Sequence, residues 1–186
     1  MPFQATGIEG LWVFEPQIFK DERGYFYESF NEKVFSDIGI KRPFVQDNQA
    51  RSTYGVLRGL HFQKGESAQA KLVRVFEGAV LDVVVDIREN SPSFGKSFAI
   101  ELSAENKKQL YVPRGFAHGY VVLTPTAEFF YKCDNYYNKS AEGGVIYNDP
   151  QLQIDWKIDS KHIILSEKDQ ILPLLSQITP ETCIFS

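Results

Sequence analysis

In the segment Gly55-Val-Leu-Arg-Gly-Leu-His-Phe-Gln63, a guanidinium and an imidazole stand three residues apart inside a short apolar run. A histidine such as His61 can act as a proton carrier, while Arg58 can fork onto an anionic group. The segment Tyr111-Val-Pro-Arg-Gly-Phe-Ala-His-Gly-Tyr120 repeats the combination with Arg114 and His118, so two of the 3 histidines share one kind of neighbourhood. A single histidine on an apolar strand is more often a satisfied core residue than a catalyst; the recurrence favours a site. Tyr131, Tyr136 and Tyr137 offer hydroxyls that can return a proton to one substrate from the face opposite His61.

Other chemistries are poorly supplied. His61-Phe-Gln63 has one imidazole where the His-x-His of metal-holding β-barrels has two, so no metal is expected. The sequence lacks a Gly-x-Ser-x-Gly elbow, a glycine-rich phosphate loop and a dinucleotide fingerprint. General acid–base chemistry remains.

The elements that must position these residues are mostly strands. The chain has 186 residues and no Pro/Gly/Ser-rich linker or charge block, which predicts a single domain over 1–186. Its 15 Phe, 9 Tyr and 2 Trp, with Val and Ile in short runs between Gly, Pro, Asn and Asp, favour β-structure. A formal charge of −4 argues against a general nucleic-acid binder, whose basic face would draw phosphates. Cys133 and Cys183 are too few for a disulfide framework, and Cys133 reads as a buried free thiol, as in a reducing cytoplasm. The N-terminal residues carry no signal-peptide pattern and no apolar run approaches the ~20 residues that span a bilayer. A soluble, cytoplasmic protein without a membrane partner is expected.

Leu11 to Phe19 and Gly24 to Phe30 read as two strands around an Asp21-Glu-Arg-Gly24 turn, and Asn31 caps a short helix through Ile38 with Gly39 as its C′ residue. From Tyr54 the spacing predicts strands Gly55–Gln63, Lys71–Phe76, Ala79–Ile87, Ser97–Leu102, Lys107–Val112, His118–Leu123 and Ala127–Cys133, a barrel over about 54–133. Many short strands without intervening helices predict an all-β jelly roll. In Ala79–Ile87 the odd-numbered residues form an apolar core face, while Asp82 and Asp86 fall on the other face, either a polar cavity wall or a solvated surface. Ile154-Asp-Trp156 reads as a short strand, and Ser166-Glu-Lys-Asp169 as a helix-capping pattern before Gln170-Ile-Leu.

The segments Gly55–Gln63, Val73–Arg88, Ser91-Pro-Ser-Phe-Gly95, Pro113-Arg-Gly-Phe-Ala-His-Gly119, Tyr131-Lys-Cys-Asp-Asn-Tyr-Tyr137 and Asn148-Asp-Pro150 resemble, in order and over nearly the whole chain, the dTDP-4-dehydrorhamnose 3,5-epimerases. The resemblance implies a cupin-type jelly roll, free of cofactor and metal, that inverts carbons 3 and 5 of dTDP-4-dehydro-6-deoxy-D-glucose in dTDP-L-rhamnose biosynthesis. It implies His61 as general base, with Asp169 orienting the imidazole and Asp82 as the alternative partner if Asp169 serves only as a cap. Tyr131 matches the family's proton donor, and Tyr137 has a claim to the same role. Lys71 would stabilise the enolate oxygen or the diphosphate. Arg23, Glu28, Gln46, Asp47, Asn48, Arg58, His118, Glu142 and Lys168 fall on nucleotide-sugar binding positions.

Arg58 and His61 lie three apart and would face opposite sides of a regular strand, so a bulge at Gly59 is expected. The aromatic segment of about 11–30 precedes the barrel strands, which predicts a homodimer in which these strands pair with the partner's sheet. The segment from about 148 to 186 should pack on the barrel. Three other readings use parts of the same residue set: an epimerase acting at one carbon of another dTDP-4-keto sugar, a non-catalytic sugar-nucleotide binding module, and a metal-dependent cupin isomerase.

Overall fold

The computed structural model describes residues 2–178; Cys183 and the last part of the 148–186 segment lie outside the described residues. The strands are β1 Phe3–Ala5, β2 Trp12–Phe14, β3 Phe19–Asp21, β4 Gly24–Phe26, β5 Gln46–Thr53, β6 Leu57–Gln63, β7 Lys71–Glu77, β8 Ala79–Asp86, β9 Ser97–Ser103, β10 Gln109–Val112, β11 Phe116–Val122, β12 Thr126–Cys133 and β13 Glu142–Gly144, with one helix, α1, over Glu32–Ser36. They form a 6-stranded sheet in the order β1-β2-β10-β7-β12-β5 and a 5-stranded sheet in the order β13-β6-β11-β8-β9. Strands close in sequence are repeatedly dealt to opposite sheets, which gives the all-β jelly-roll sandwich that the strand spacing predicts.

The sandwich interior is filled by Val73 and Val75 of β7, Val80 and Val84 of β8, Val122 and Phe129. A second apolar cluster lies on the outer face of the five-stranded sheet, where Leu81, Val83, Val85 and Ala117 meet Leu152, Trp156 and Leu175 of the C-terminal segment. Strand β8 is therefore buried on both sides. Its odd-numbered residues are core as expected, but that core is sealed by the C-terminal segment, and the face bearing Asp82 and Asp86 points into the sandwich rather than to solvent. Each of these fully buried aliphatic side chains contributes about 1.5–3 kcal/mol.

Several elements differ from the expectation. No strand was expected over 46–53, because Gln-Asp-Asn-Gln-Ala-Arg-Ser-Thr has no apolar alternation; β5 is an edge strand paired only with β12, where such polarity is tolerated. The 11–30 segment splits. Trp12–Phe14 joins the protein's own large sheet between β1 and β10, and only β3 and β4 stand apart as a two-stranded hairpin. The helix at Asn31 forms, with the Asn31 side chain accepting from the amides of Lys33 and Val34, but it ends at Ser36. Ile154–Trp156 enters no sheet; Trp156 instead buries its ring and donates its indole N–H to the Tyr147 carbonyl at 2.9 Å. Around Asp169 there is one turn of 3-10 helix, Asp169–Ile171, and no longer helix.

Candidate active site

Strand β6 carries the expected irregularity. His61 faces His118 and Arg58 faces Tyr120, so three residue steps on β6 are matched by two on β11. Gly59 absorbs the extra residue with φ +128, and a Cβ there would lie 2.5 Å from the Gly119 Cα and 2.8 Å from the His118 carbonyl oxygen. Only glycine meets both the backbone angle and the close approach. The outcome is that Arg58 and His61 line one cavity of about 490 Å³.

His61 Nε2 lies 2.6 Å from Asp169 Oδ1. An ionised carboxylate only accepts, so the proton sits on Nε2 and the Nδ1 lone pair is left to take another. Burial works against the charge on Asp169, but the His61 hydrogen bond and charge, the Gly59 amide and the Ser166 hydroxyl outweigh it and hold the carboxyl below its ordinary range. The capping pattern is half realised: Ser166 Oγ accepts the Asp169 amide at 3.2 Å, while the carboxylate is given to His61. Asp82 is not an alternative partner for His61. It is fully buried and engages His118 Nε2 through both oxygens at 2.9 and 3.0 Å.

The opposite sheet supplies the facing wall. Lys71 of β7 and Tyr131 of β12 line the same cavity, with the Lys71 ammonium 5.6 Å from the Tyr131 ring centre. Burial raises the Tyr131 hydroxyl to about 12, so it holds its proton throughout the neutral range. Burial likewise pushes the Lys71 ammonium below the ordinary lysine value, an effect partly offset by Cys133 and Asp82. Arg58 donates to Ser52 Oγ at 3.2 and 3.3 Å from β5, and Tyr120 stacks on Phe129 at 4.1 Å. The cavity thus holds an oriented imidazole, a protonated phenol, an ammonium and a guanidinium, with Lys168 and His118 also in its wall.

A family model described as dTDP-4-dehydrorhamnose 3,5-epimerase matches residues 5–177. The chain belongs to this epimerase family. A dTDP-4-dehydrorhamnose 3,5-epimerase of Salmonella typhimurium is 53% identical over 173 residues, covering 92% of this chain and 94% of the relative. The solved structure of the dTDP-6-deoxy-D-glucose-3,5-epimerase of Legionella pneumophila, in complex with dTDP-4-keto-L-rhamnose, matches with a TM-score of 0.93 at 48% identity, covering 97% of this chain and 96% of that one. A 3′-monoepimerase of Streptomyces bikiniensis, in complex with dTDP-quinovose, matches with a TM-score of 0.87 at 36% identity over 93% and 87% of the two chains.

Of the site residues expected from the sequence, the cavity gathers His61, Asp169, Lys71, Tyr131, Arg58, His118 and Lys168. The remainder lie elsewhere in the single chain. Arg23 sits at the tip of the β3–β4 hairpin, paired with Asp21, and Glu28 follows that hairpin beside a separate groove with Phe19 and Phe26. Gln46 and Asn48 point to the interior side of β5, the latter donating to the Cys133 sulfur at 3.6 Å, whereas Asp47 alternates outward and pairs with Lys132 at 3.0 Å. Tyr137 is half-exposed and meets Glu142, which pairs with Lys168 at 2.7 Å. Arg114 pairs with Asp134 at 3.0 Å and is not in the cavity wall. Sequence reasoning missed Ser52 and Phe129, small or apolar residues without a chemical signature, and Tyr120, two residues from His118 within a quoted motif, while it read Ser166 only as a cap. Gln63, where a metal-binding barrel would carry its second histidine, accepts the Asn138 amide, and no group of three His, Cys, Asp or Glu gathers to hold a metal among the described residues.

Proposed function

We propose that the protein inverts carbons 3 and 5 of dTDP-4-dehydro-6-deoxy-D-glucose by proton abstraction and return through an enolate. The observation that carries this reading is the division of labour between the sheets: the His61–Asp169 pair comes from one wall of the cavity, and Tyr131 with Lys71 from the other.

The 4-keto group acidifies the protons on both flanking carbons. His61 takes one of them on its free ring nitrogen, and Asp169 stabilises the resulting imidazolium. The electron pair moves onto the keto oxygen, where the Lys71 ammonium offsets the developing charge in a site of low dielectric. Tyr131, protonated at neutral pH, delivers a proton to the opposite face of the carbon, which is then inverted. His61 and Tyr131 return to their starting states by exchange with solvent, and the second carbon follows in the same way. Arg58 and His118 hold the diphosphate or sugar, and the chemistry calls for no cofactor. Turnover of dTDP-4-dehydro-6-deoxy-D-glucose in the presence of a 4-keto reductase, read as loss of NADPH, tests the assignment; no NADPH loss at high enzyme concentration would overturn it.

Inversion of a single carbon is the second reading, favoured by the similarity to the monoepimerase. Solvent deuterium incorporated per product molecule separates the two, with two atoms expected and one favouring the alternative.

The protein acts as a cytoplasmic homodimer on this reading. Phe19, Tyr25 and Phe26 are 55%, 58% and 70% exposed on a hairpin that pairs with no other strand among the described residues and meets Lys107 at Tyr25, and Arg23 and Glu28, which the resemblance assigns to binding, lie on or beside it. Seating the hairpin on a second copy buries that apolar surface and brings both side chains towards a substrate cavity. A monomeric mass by sedimentation at micromolar concentration would contradict it. No helix among the described residues is long and apolar enough to cross a membrane.

A further inference from the structure

The loop between β12 and β13 passes from the six-stranded to the five-stranded sheet and carries Tyr137, whose side chain is 51% exposed and so is not held by packing. Its backbone is held instead. The Tyr137 amide donates to Gln46 Oε1 at 3.0 Å, and the next amide, of Asn138, donates to Gln63 Oε1 at 2.8 Å. The two acceptors come from different sheets, and Gln63 is the buried one, 7% exposed.

Gln63 is also tied to the site on its other side. It is two residues from His61 on β6, and β13 pairs with this strand so that Glu142 faces Gln63 and Gly144 faces His61. Glu142 lies beside the Tyr137 side chain and pairs with the Lys168 ammonium at 2.7 Å, and Lys168 lines the cavity. The amide that follows Tyr137 and the carboxylate beside its side chain are thus referred to the same short stretch of β6 that carries His61.

We propose that Gln63 is a positioning residue: its amide oxygen, by fixing the Asn138 amide, holds the Tyr137 hydroxyl at the rim of the cavity where substrate enters. This rests on the epimerase reading, since it requires Tyr137 to meet the substrate. It also accounts for a side chain of amide type at the position where a metal-binding barrel has its second imidazole. The acceptor is spent on the loop.

The test is a double-mutant cycle on the whole protein, with kcat/KM for the dTDP-4-keto sugar as readout. Gln63→Met keeps the length and removes the acceptor, and Gln63→Glu keeps an acceptor oxygen. Loss of one such hydrogen bond is expected to lower kcat/KM about tenfold in Gln63→Met, with most activity retained in Gln63→Glu. In a Tyr137→Phe background the same Gln63→Met change should cost less than about twofold, because the hydroxyl it positions is gone. A loss of equal size in both backgrounds would overturn the proposal, as would wild-type kinetics in either Gln63→Met or Tyr137→Phe. Gln63→Asn, which withdraws the amide by one methylene, replaces Gln63→Met if the latter does not fold, and must show the same non-additivity. Failure of the epimerase reading is seen separately, as absence of turnover by the wild-type protein.

Discussion

His61 and Asp169 are separated by 108 positions in the chain and by 2.6 Å in space. Asp169 comes from a single turn of 3-10 helix, is 3% exposed, and is kept ionised by the imidazole, the Gly59 amide and Ser166. Asp169→Asn preserves the shape and removes the charge that favours the imidazolium. It should lower kcat by about 10² to 10⁴ with dTDP affinity nearly unchanged, as read by turnover and calorimetry.

His61→Asn removes the base itself. Loss of turnover by about 10² to 10⁴ is expected, together with loss of exchange between substrate protons and deuterated solvent. Exchange at the wild-type rate would assign proton abstraction to another group.

Tyr131 and Tyr137 separate by an uncoupling experiment. In Tyr131→Phe the enolate still forms and is reprotonated on the face it came from, so solvent deuterium enters substrate faster than inverted product appears. Tyr137→Phe should slow turnover without this imbalance. The opposite pattern would exchange the two roles.

Burial lowers the Lys71 pKa. Its positive charge is therefore lost, as pH rises, below the ordinary lysine value of about 10.4, which should place a basic limb on the kcat/KM profile. Arginine keeps its charge across that range, so Lys71→Arg should move the limb upward even if its plateau is lower. An unmoved limb would trace it to a different group.

Gly59→Ala combines a forbidden backbone angle with a contact at 2.5 Å to Gly119. A cost of about 1–3 kcal/mol is expected from the backbone angle alone, visible as a lower denaturant midpoint, and the bulge that aligns Arg58 with His61 should be lost with it. A variant of normal stability and activity would show that β6 accommodates the extra residue elsewhere.

Much of the sandwich was legible because β8, β11 and β12 are short apolar runs between turn residues. β5 was not, since an edge strand draws its order from pairing with β12 and carries no apolar signal of its own. Among the site residues, the need for a bulge at Gly59 followed from the odd spacing of Arg58 and His61. The partnership of Asp82 with His118 did not, because carboxylate–imidazole pairing depends on which strands become neighbours. Two of the motifs behind the family resemblance prove to be scaffold: Ser91 and Ser93 donate to Asp86 at 2.5 and 2.6 Å, and Asp149 accepts the Leu175 amide at 2.6 Å, anchoring the C-terminal segment. A sequence match cannot distinguish such residues from those that touch substrate.

That segment, which seals the outer face of the five-stranded sheet and delivers Asp169, also sets the moment at which the His61 imidazole first gains its partner. His61 leaves the ribosome 108 residues before its carboxylate partner. At about 5–20 residues per second that interval lasts about 5–20 s, in which the strands from β7 to β13 emerge around a base that is not yet oriented. A nascent chain stalled after β13 would hold the cavity's imidazole, phenol and ammonium, yet lack the carboxylate that meets the imidazole until residue 169 emerges.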